Sequence, residues 1–124
     1  DGGLWSLAED AVARAGDAPA TWPTGFGRTL ATMDMLTTRP VEIAIVGAPG
    51  DAATADLVQA ARDHMGPYAV LALGDPADAR AVAAAPLLAD RPLVDGRPAA
   101  YVCSGFACQA PVTDGPSLRA ALAL

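Results

Sequence analysis

Residues 41–47 read VEIAIVG, an almost continuously apolar run that is rich in β-branched side chains. Strands that are buried on both faces, as in sheets covered by helices, have this composition. Two later runs resemble it, YAVLALG at 68–74 and AAYVC at 99–103, and helical patterns separate the three. This alternation predicts an α/β fold: a small three-stranded parallel sheet built near 41–47, 69–73 and 99–103, flanked by helices with right-handed crossovers.

Turn and cap residues mark the segments between these runs. Asp51 is placed to cap a helix that Gly66-Pro67 ends, and the stripe of that helix is Leu57, Val58, Ala61 and Met65. Asp75-Pro76 reads as an N-cap and first helical position. Asp95-Gly96 predicts a turn, and a closing helix is expected to start at Asp114 to Pro116.

The first 40 residues are helical in pattern. One face of the first helix carries an apolar stripe, and a second helix is expected from about Gly25 to Thr38, ended by Pro40. The stripe residues of the first helix are Leu4, Leu7, Ala8, Ala11 and Ala15. We therefore divide the chain into a helical segment, 1–40, and a small α/β module, 41–124.

Charge and hydropathy exclude some classes of function. The formal net charge is −6, and all eight basic residues are arginines scattered along the chain, whereas binding to nucleic acid needs a basic patch. No apolar run approaches the ~20 residues of a membrane span, and the first ten residues lack signal-peptide features. These observations favour a cytoplasmic protein that binds neither nucleic acid nor membrane.

The hydrophobic core is expected to be thin. Of the 124 residues, 30 are alanine and only 26 are leucine, isoleucine, valine or phenylalanine. Alanine contributes little apolar area when it is buried. We therefore expect the N-terminal helices, with Trp5 and Trp22, to expose an apolar patch that packs on another copy or on a parent chain.

Both cysteines, Cys103 and Cys108, lie in the stretch YVCSGFACQAPVTD at 101–114. A structural zinc needs four ligands, and His64 is the only histidine, so no metal and no cofactor is expected. His64 is also the only imidazole base for a nucleophile, and Ser104 lacks the G-x-S-x-G context of a nucleophile elbow. No catalytic residue is assigned.

The state of the two thiols stays open from the residues alone. In a continuous helix, positions five apart could not be bridged. If Ser104-Gly105 turns the chain after the third strand, however, the two sulfurs come within disulfide range. Since cytosolic thiols are kept reduced and C-x₄-C is not a redox motif, we favour two reduced structural thiols that lie close together without metal.

The same stretch resembles the C-terminal signature of a known family. The pattern Cys103-x-x-Phe106-x-Cys108-Gln109-x-Pro111-Val-Thr113-Asp114 is similar to that of the thioredoxin-domain-containing proteins related to spermatogenesis-associated protein 20. The likeness extends upstream through VEIAIVGAPGDAATADLVQAARDH and GRTLATMDML. Phe106, Gln109, Pro111, Thr113 and Asp114 are thereby supporting residues of the motif.

The resemblance implies a parent chain much longer than this one. Family members carry an N-terminal thioredoxin-like domain and an α/α barrel similar to sugar epimerases and six-hairpin glycosidases, so residues 1–40 would correspond to the last helices of the barrel. Two hypotheses follow. The first is a noncatalytic C-terminal module that packs on the barrel of a protein of carbohydrate metabolism. The second is a redox module in which Cys103 and Cys108 exchange with the thioredoxin domain.

Overall fold

A computed structural model describes residues 2–38, 40–105 and 107–123 of the chain. The polypeptide forms two compact units, Asp1–Arg39 and Pro40–Leu124. The first unit is helical and the second combines helices with a sheet.

The helical unit contains three α-helices and one 3₁₀ turn: α1 Gly2–Ala15, α2 Ala18–Thr21, the turn Pro23–Gly25, and α3 Gly27–Thr38. Gly16 follows the last residue of α1, and its φ of 52° is the left-handed conformation common after a helix C-terminus. Helices α1 and α3 pack on each other, yet neither has a fully buried residue. Their pairing therefore forms a groove rather than a closed core.

The second unit is a helix-flanked sheet. Its elements are β1 Val41–Val46, α4 Ala52–His64, β2 Val70–Gly74, α5 Ala79–Ala84, a 3₁₀ turn Pro86–Leu88, β3 Ala99–Ser104, β4 Ala107–Cys108 and α6 Gly115–Leu122. The strands form one sheet in the order β2-β1-β3-β4. Strand β1 pairs in parallel with β2 and antiparallel with β3, and β3 pairs antiparallel with β4.

Strand β1 separates two apolar cores. On one face Ile43 and Ile45 pack with Leu57 of α4 and Leu118 of α6, and all four side chains are fully buried. On the other face Ala44 and Val46 pack with Leu88, Ala99 and their neighbours. Residues 43–46 are therefore inaccessible from both sides, as the continuous apolar run predicts.

The α/β class and the parallel pairing of the first two strands are confirmed, but the three-stranded parallel sheet is wrong. The sheet has a fourth strand, and β3 runs antiparallel to β1, with Val41 opposite Ser104 and Val46 opposite Ala99. The predicted turn at Asp95-Gly96 supplies part of the reason. Both residues have positive φ, and Val94 bridges Arg97, so the chain reverses just before β3 begins.

Of the three helix starts predicted in the α/β module, two are confirmed. Asp51 caps α4 by accepting a hydrogen bond from the Thr54 amide at 3.0 Å, and Asp114 caps α6. The start at Asp75-Pro76 is wrong, since α5 begins at Ala79 behind the cap Asp78. The Asp75 carboxylate instead accepts a hydrogen bond from the Ala77 amide, which makes a local turn.

Helices of the described residues are too short or too polar to cross a lipid bilayer.

The close approach at the end of β1 yields a stability prediction. A Cβ added at Gly47 would lie 2.3 Å from Thr54 Oγ1 and 3.0 Å from Pro98 Cβ. We expect Gly47→Ala to lower the free energy of unfolding by about 1–3 kcal/mol, as overpacking does, in urea titration monitored by circular dichroism. Gly66→Ala is the matched control, because a Cβ there meets nothing within 4 Å. Equal urea midpoints for the two variants would contradict this packing.

Candidate functional site

The two cysteines occupy facing positions of the β3–β4 hairpin. Cys103 in β3 is the direct partner of Cys108 in β4, and Ser104 is the partner of Ala107. The chain reverses through Gly105, whose φ of 57° lies in the left-handed region that favours glycine. Phe106, a supporting residue of the predicted motif, lies outside the described residues. Because directly opposed side chains project from the same face of a sheet, the hairpin brings the two sulfurs together.

The sulfurs form a disulfide, Cys103–Cys108, with an S–S distance of 2.05 Å and a Cα–Cα distance of 3.9 Å. The predicted proximity of the two residues at the end of β3 is confirmed, but the preferred reduced state is wrong for this structure. The antiparallel hairpin supplies the reason, because it places the cysteines opposite each other. From the sequence, the two sulfurs were expected to come within disulfide range only if Ser104-Gly105 turned the chain.

The two halves of the disulfide differ in accessibility. Cys103 is 2% exposed and belongs to the buried set of the sheet, whereas Cys108 is exposed on the edge strand β4. A reagent from solvent therefore reaches the Cys108 side of the bond and not the Cys103 side.

A guanidinium group lies against both sulfurs. Arg91 Nη2 is 3.5 Å from Cys103 Sγ and 3.7 Å from Cys108 Sγ, both within donor distance for a sulfur acceptor. Arg91 is half-buried and comes from the loop that follows the 3₁₀ turn Pro86–Leu88. The sequence places it 12 residues before Cys103, and only the folding of that loop over the sheet brings them together.

Several contacts fix the position of Arg91. Its Nη1 donates to the carbonyl oxygens of Leu87 and Ala89, and its Cζ lies 5.8 Å from the ring centroid of Tyr101, within cation–π range. The Tyr101 hydroxyl in turn donates to the Pro92 carbonyl at 2.7 Å. Within the described residues, these hydrogen-bond and ring partners include no carboxylate, so the positive charge stays available to the sulfurs.

The residues that follow Cys108 continue antiparallel to β3 and bond to its backbone. The Gln109 amide donates to the Val102 carbonyl at 2.9 Å, and Val112 forms a two-way bridge with Ala100. The Gln109 side chain donates to the Ala121 carbonyl at 3.3 Å, near the end of α6. Pro111 is exposed and Thr113 is half-buried. These motif residues thus connect the hairpin to α6.

Asp114 serves α6 as its N-cap. Its carboxylate accepts hydrogen bonds from the Ser117 amide at 2.8 Å and from the Ser117 hydroxyl at 2.9 Å. The hydrogen bond from the Ser117 amide, and after it the one from the hydroxyl, lowers the pKa of this carboxyl from its ordinary value because both bonds favour the ionised form. Asp114 therefore has a structural role at the start of the helix.

Sequence reasoning did not find two contacts near the motif. The first joins Arg91 to the two sulfurs. In the second, the Gly115 amide donates to the Asp56 carboxylate of α4 at 2.9 Å. A Cβ at Gly115 would lie 2.7 Å from the Asp56 carboxylate, so glycine fits this close approach. No pattern of spacing marks either contact, because each joins residues of different elements.

His64, considered above as a metal ligand and as a base, is the last residue of α4. Its Nδ1 lies 3.2 Å from the Ala60 carbonyl. Across the described parts of the chain, no group of three or more His, Cys, Asp or Glu residues is arranged to hold a metal ion. The candidate site therefore consists of Cys103, Cys108 and Arg91.

Reduction of the disulfide should cost stability. For a closed loop this short, the chain-entropy model gives about 2 kcal/mol, and we expect a loss of this size when urea unfolding is repeated with a reductant. The double variant Cys103→Ala/Cys108→Ala is the control, since its midpoint should not respond to reductant. Of the single variants, Cys103→Ala should be the less stable because it also removes a buried side chain. A wild-type midpoint that is indifferent to reductant would contradict the bridge.

Comparisons of the chain with protein-family models, with curated proteins and with solved structures find no match.

Proposed function

We propose that this chain is a noncatalytic α/β module of a larger protein, in which the helical unit packs on an α/α barrel and the disulfide hairpin fixes the C-terminal edge of the sheet. The resemblance of the 103–114 motif to the thioredoxin-domain-containing family supports this proposal. In that family the barrel is similar to sugar epimerases and six-hairpin glycosidases, so the larger protein would act in carbohydrate metabolism.

The observation that carries the proposal is the open apolar surface of the helical unit. Leu4 and Leu7 of α1 are 68% and 64% exposed, and Trp22 is 65% exposed. Trp5 is half-buried, and its indole donates to Glu9 at 3.1 Å. A groove between α1 and α3 is lined by Leu4, Leu7 and other mostly small or apolar side chains. An exposed apolar groove of this kind usually marks an interface.

The α/β unit also exposes Val70, Leu73 and Leu93, but its core is covered by elements of the same unit. Its two cores are closed by α4 and α6 on one face and by the segment around Leu88 on the other. The two units therefore differ in kind, because one has an interior and the other has a groove. A helical pair with a groove gains stability when it packs against further helices, as the last helices of an α/α barrel do.

The proposal is tested by truncating the exposed leucines. We expect the wild-type chain to self-associate at high concentration through this groove, and Leu4→Ala/Leu7→Ala to weaken the association at least about tenfold. Each change removes three carbons at ~0.8 kcal/mol per buried methylene, and about 1.4 kcal/mol is a factor of ten in affinity. Alanine favours helix, so α1 should remain folded.

Sedimentation equilibrium over a range of concentrations measures this association. Ser6→Ala is the matched control, because Ser6 is exposed on α1 but does not line the groove. A wild-type chain that stays monomeric at every concentration and binds no apolar dye would count against the packing role.

A second candidate function is thiol–disulfide exchange. The specific observation in its favour is the asymmetry of the bond, with an exposed Cys108, a buried Cys103 and the Arg91 guanidinium beside both sulfurs. Accessible disulfides in electropositive surroundings are the reactive ones. In this reading the hairpin exchanges electrons with a dithiol, such as that of a thioredoxin domain in the same protein.

A further inference from the structure

We infer that Arg91 gives the Cys103–Cys108 disulfide a direction: an incoming thiolate attacks Cys108, and Cys103 leaves as a thiolate stabilised by the Arg91 guanidinium. The inference rests on the second candidate function and adds to it the attacked atom, the leaving atom and a positioning residue. The substrate class is a dithiol, either a small molecule or a protein.

Accessibility selects the attacked sulfur. Exchange proceeds by attack of a thiolate on one sulfur of the bond, and the rate depends on which sulfur can be reached. Cys108 lies on the two-residue edge strand β4 and is exposed, as are its neighbours Ala107 and Gln109. Cys103 is 2% exposed, so attack from solvent on its sulfur is blocked.

Charge favours the leaving sulfur. When the bond breaks, negative charge develops on Cys103 Sγ, and Arg91 Nη2 already lies 3.5 Å away. A leaving thiol of lower pKa leaves faster, and an adjacent arginine lowers the pKa of a thiol. The carbonyls of Leu87 and Ala89 and the ring of Tyr101 hold the guanidinium in place, so little rearrangement is needed at the moment of cleavage.

The exchange balances in two steps. The first thiolate of the dithiol forms a mixed disulfide with Cys108, and the Cys103–Cys108 bond breaks to leave the Cys103 thiolate. The second thiol of the dithiol then loses its proton and attacks its own partner sulfur, which forms the oxidised disulfide and releases Cys108 as a thiolate. Two electrons pass from the dithiol to the hairpin, and the two dithiol protons pass to solvent or to the released sulfurs.

Besides Arg91, three titratable groups lie near Cys103 or Arg91 in the sheet or in the sequence: Glu42, Asp90 and Tyr101. Glu42 is the partner of Cys103 across the β1–β3 pair and is exposed, so its negative charge opposes that of a Cys103 thiolate. Asp90 precedes Arg91 and is also exposed. Tyr101 lies two residues before Cys103 on the same face, and its hydroxyl is bonded to a carbonyl. Arg91 is the only one of these groups with a hydrogen bond to the sulfur.

The first experiment identifies the sulfurs. The folded, oxidised chain is treated with glutathione, free thiols are quenched by alkylation, and peptides are mapped by mass spectrometry. We expect glutathione on Cys108 and the alkyl group on Cys103. Glutathione on Cys103 would overturn the inference alone. Reduction no faster than global unfolding would overturn the exchange function and the inference together, and would leave the packing role untouched.

The second experiment tests Arg91 with charge variants. We expect Arg91→Gln to slow reduction by dithiothreitol roughly three- to tenfold, since the pKa of the leaving thiol rises when the charge is lost. Arg91→Lys should recover part of the rate, and Glu42→Gln should speed reduction slightly. Ultraviolet absorbance measures thiolate formation in the reduced chain as the pH is raised. The Cys103 pKa should rise in Arg91→Gln and fall in Glu42→Gln.

Equal rates and equal titration curves for wild type and Arg91→Gln would overturn the role of Arg91, even if glutathione marks Cys108. Circular dichroism of each variant confirms that the fold is kept. A thioredoxin used in place of dithiothreitol distinguishes the two sources of the dithiol. Faster reduction by thioredoxin at equal thiol concentration identifies a protein partner, and the Arg91 dependence is expected in both arms.

Discussion

The structure depends on the burial of β1 between two neighbouring strands and two apolar cores. Residues 43–46 have no accessible surface, so every backbone group in this stretch must find its partner in β2 or β3. Helices α4 and α6 then cover the face of Ile43 and Ile45, and the segment around Leu88 covers the face of Ala44 and Val46. A polar side chain at any of these positions would be buried without a solvent path.

The direction of β3 sets where the candidate site lies in the sheet. Because β3 runs antiparallel to β1, it ends beside the start of β1, with Ser104 opposite Val41. The chain then turns at Gly105 and returns as β4, which sets Cys108 opposite Cys103. The loop carrying Arg91 crosses the same face of the sheet and reaches both sulfurs. The β3–β4 hairpin therefore sets the disulfide, and the direction of β3 sets where that hairpin lies relative to β1.

Much of the fold could be predicted from the sequence, and the site only in part. The buried runs and the caps Asp51 and Asp114 are local signals, so they predict their elements well. The direction of β3, in contrast, is not set by a local signal. A strand buried on both faces has the same composition in either direction, and the turn at Asp95-Gly96 was visible without showing which way the strand would pair. The partnership of Arg91 with the cysteines joins a loop to a hairpin, so spacing could not reveal it.

The central claim is that β3 runs antiparallel to β1 and folds back to join Cys103 to Cys108. Nuclear Overhauser contacts in the isotopically labelled chain test it most directly, together with the Cβ chemical shifts of the two cysteines. The account predicts contacts of Val41 with Ser104 and of Val46 with Ala99, and cysteine shifts typical of a disulfide. Contacts of Val41 with Ala99 and of Val46 with Ser104, or shifts typical of free thiols in the unreduced chain, would contradict it.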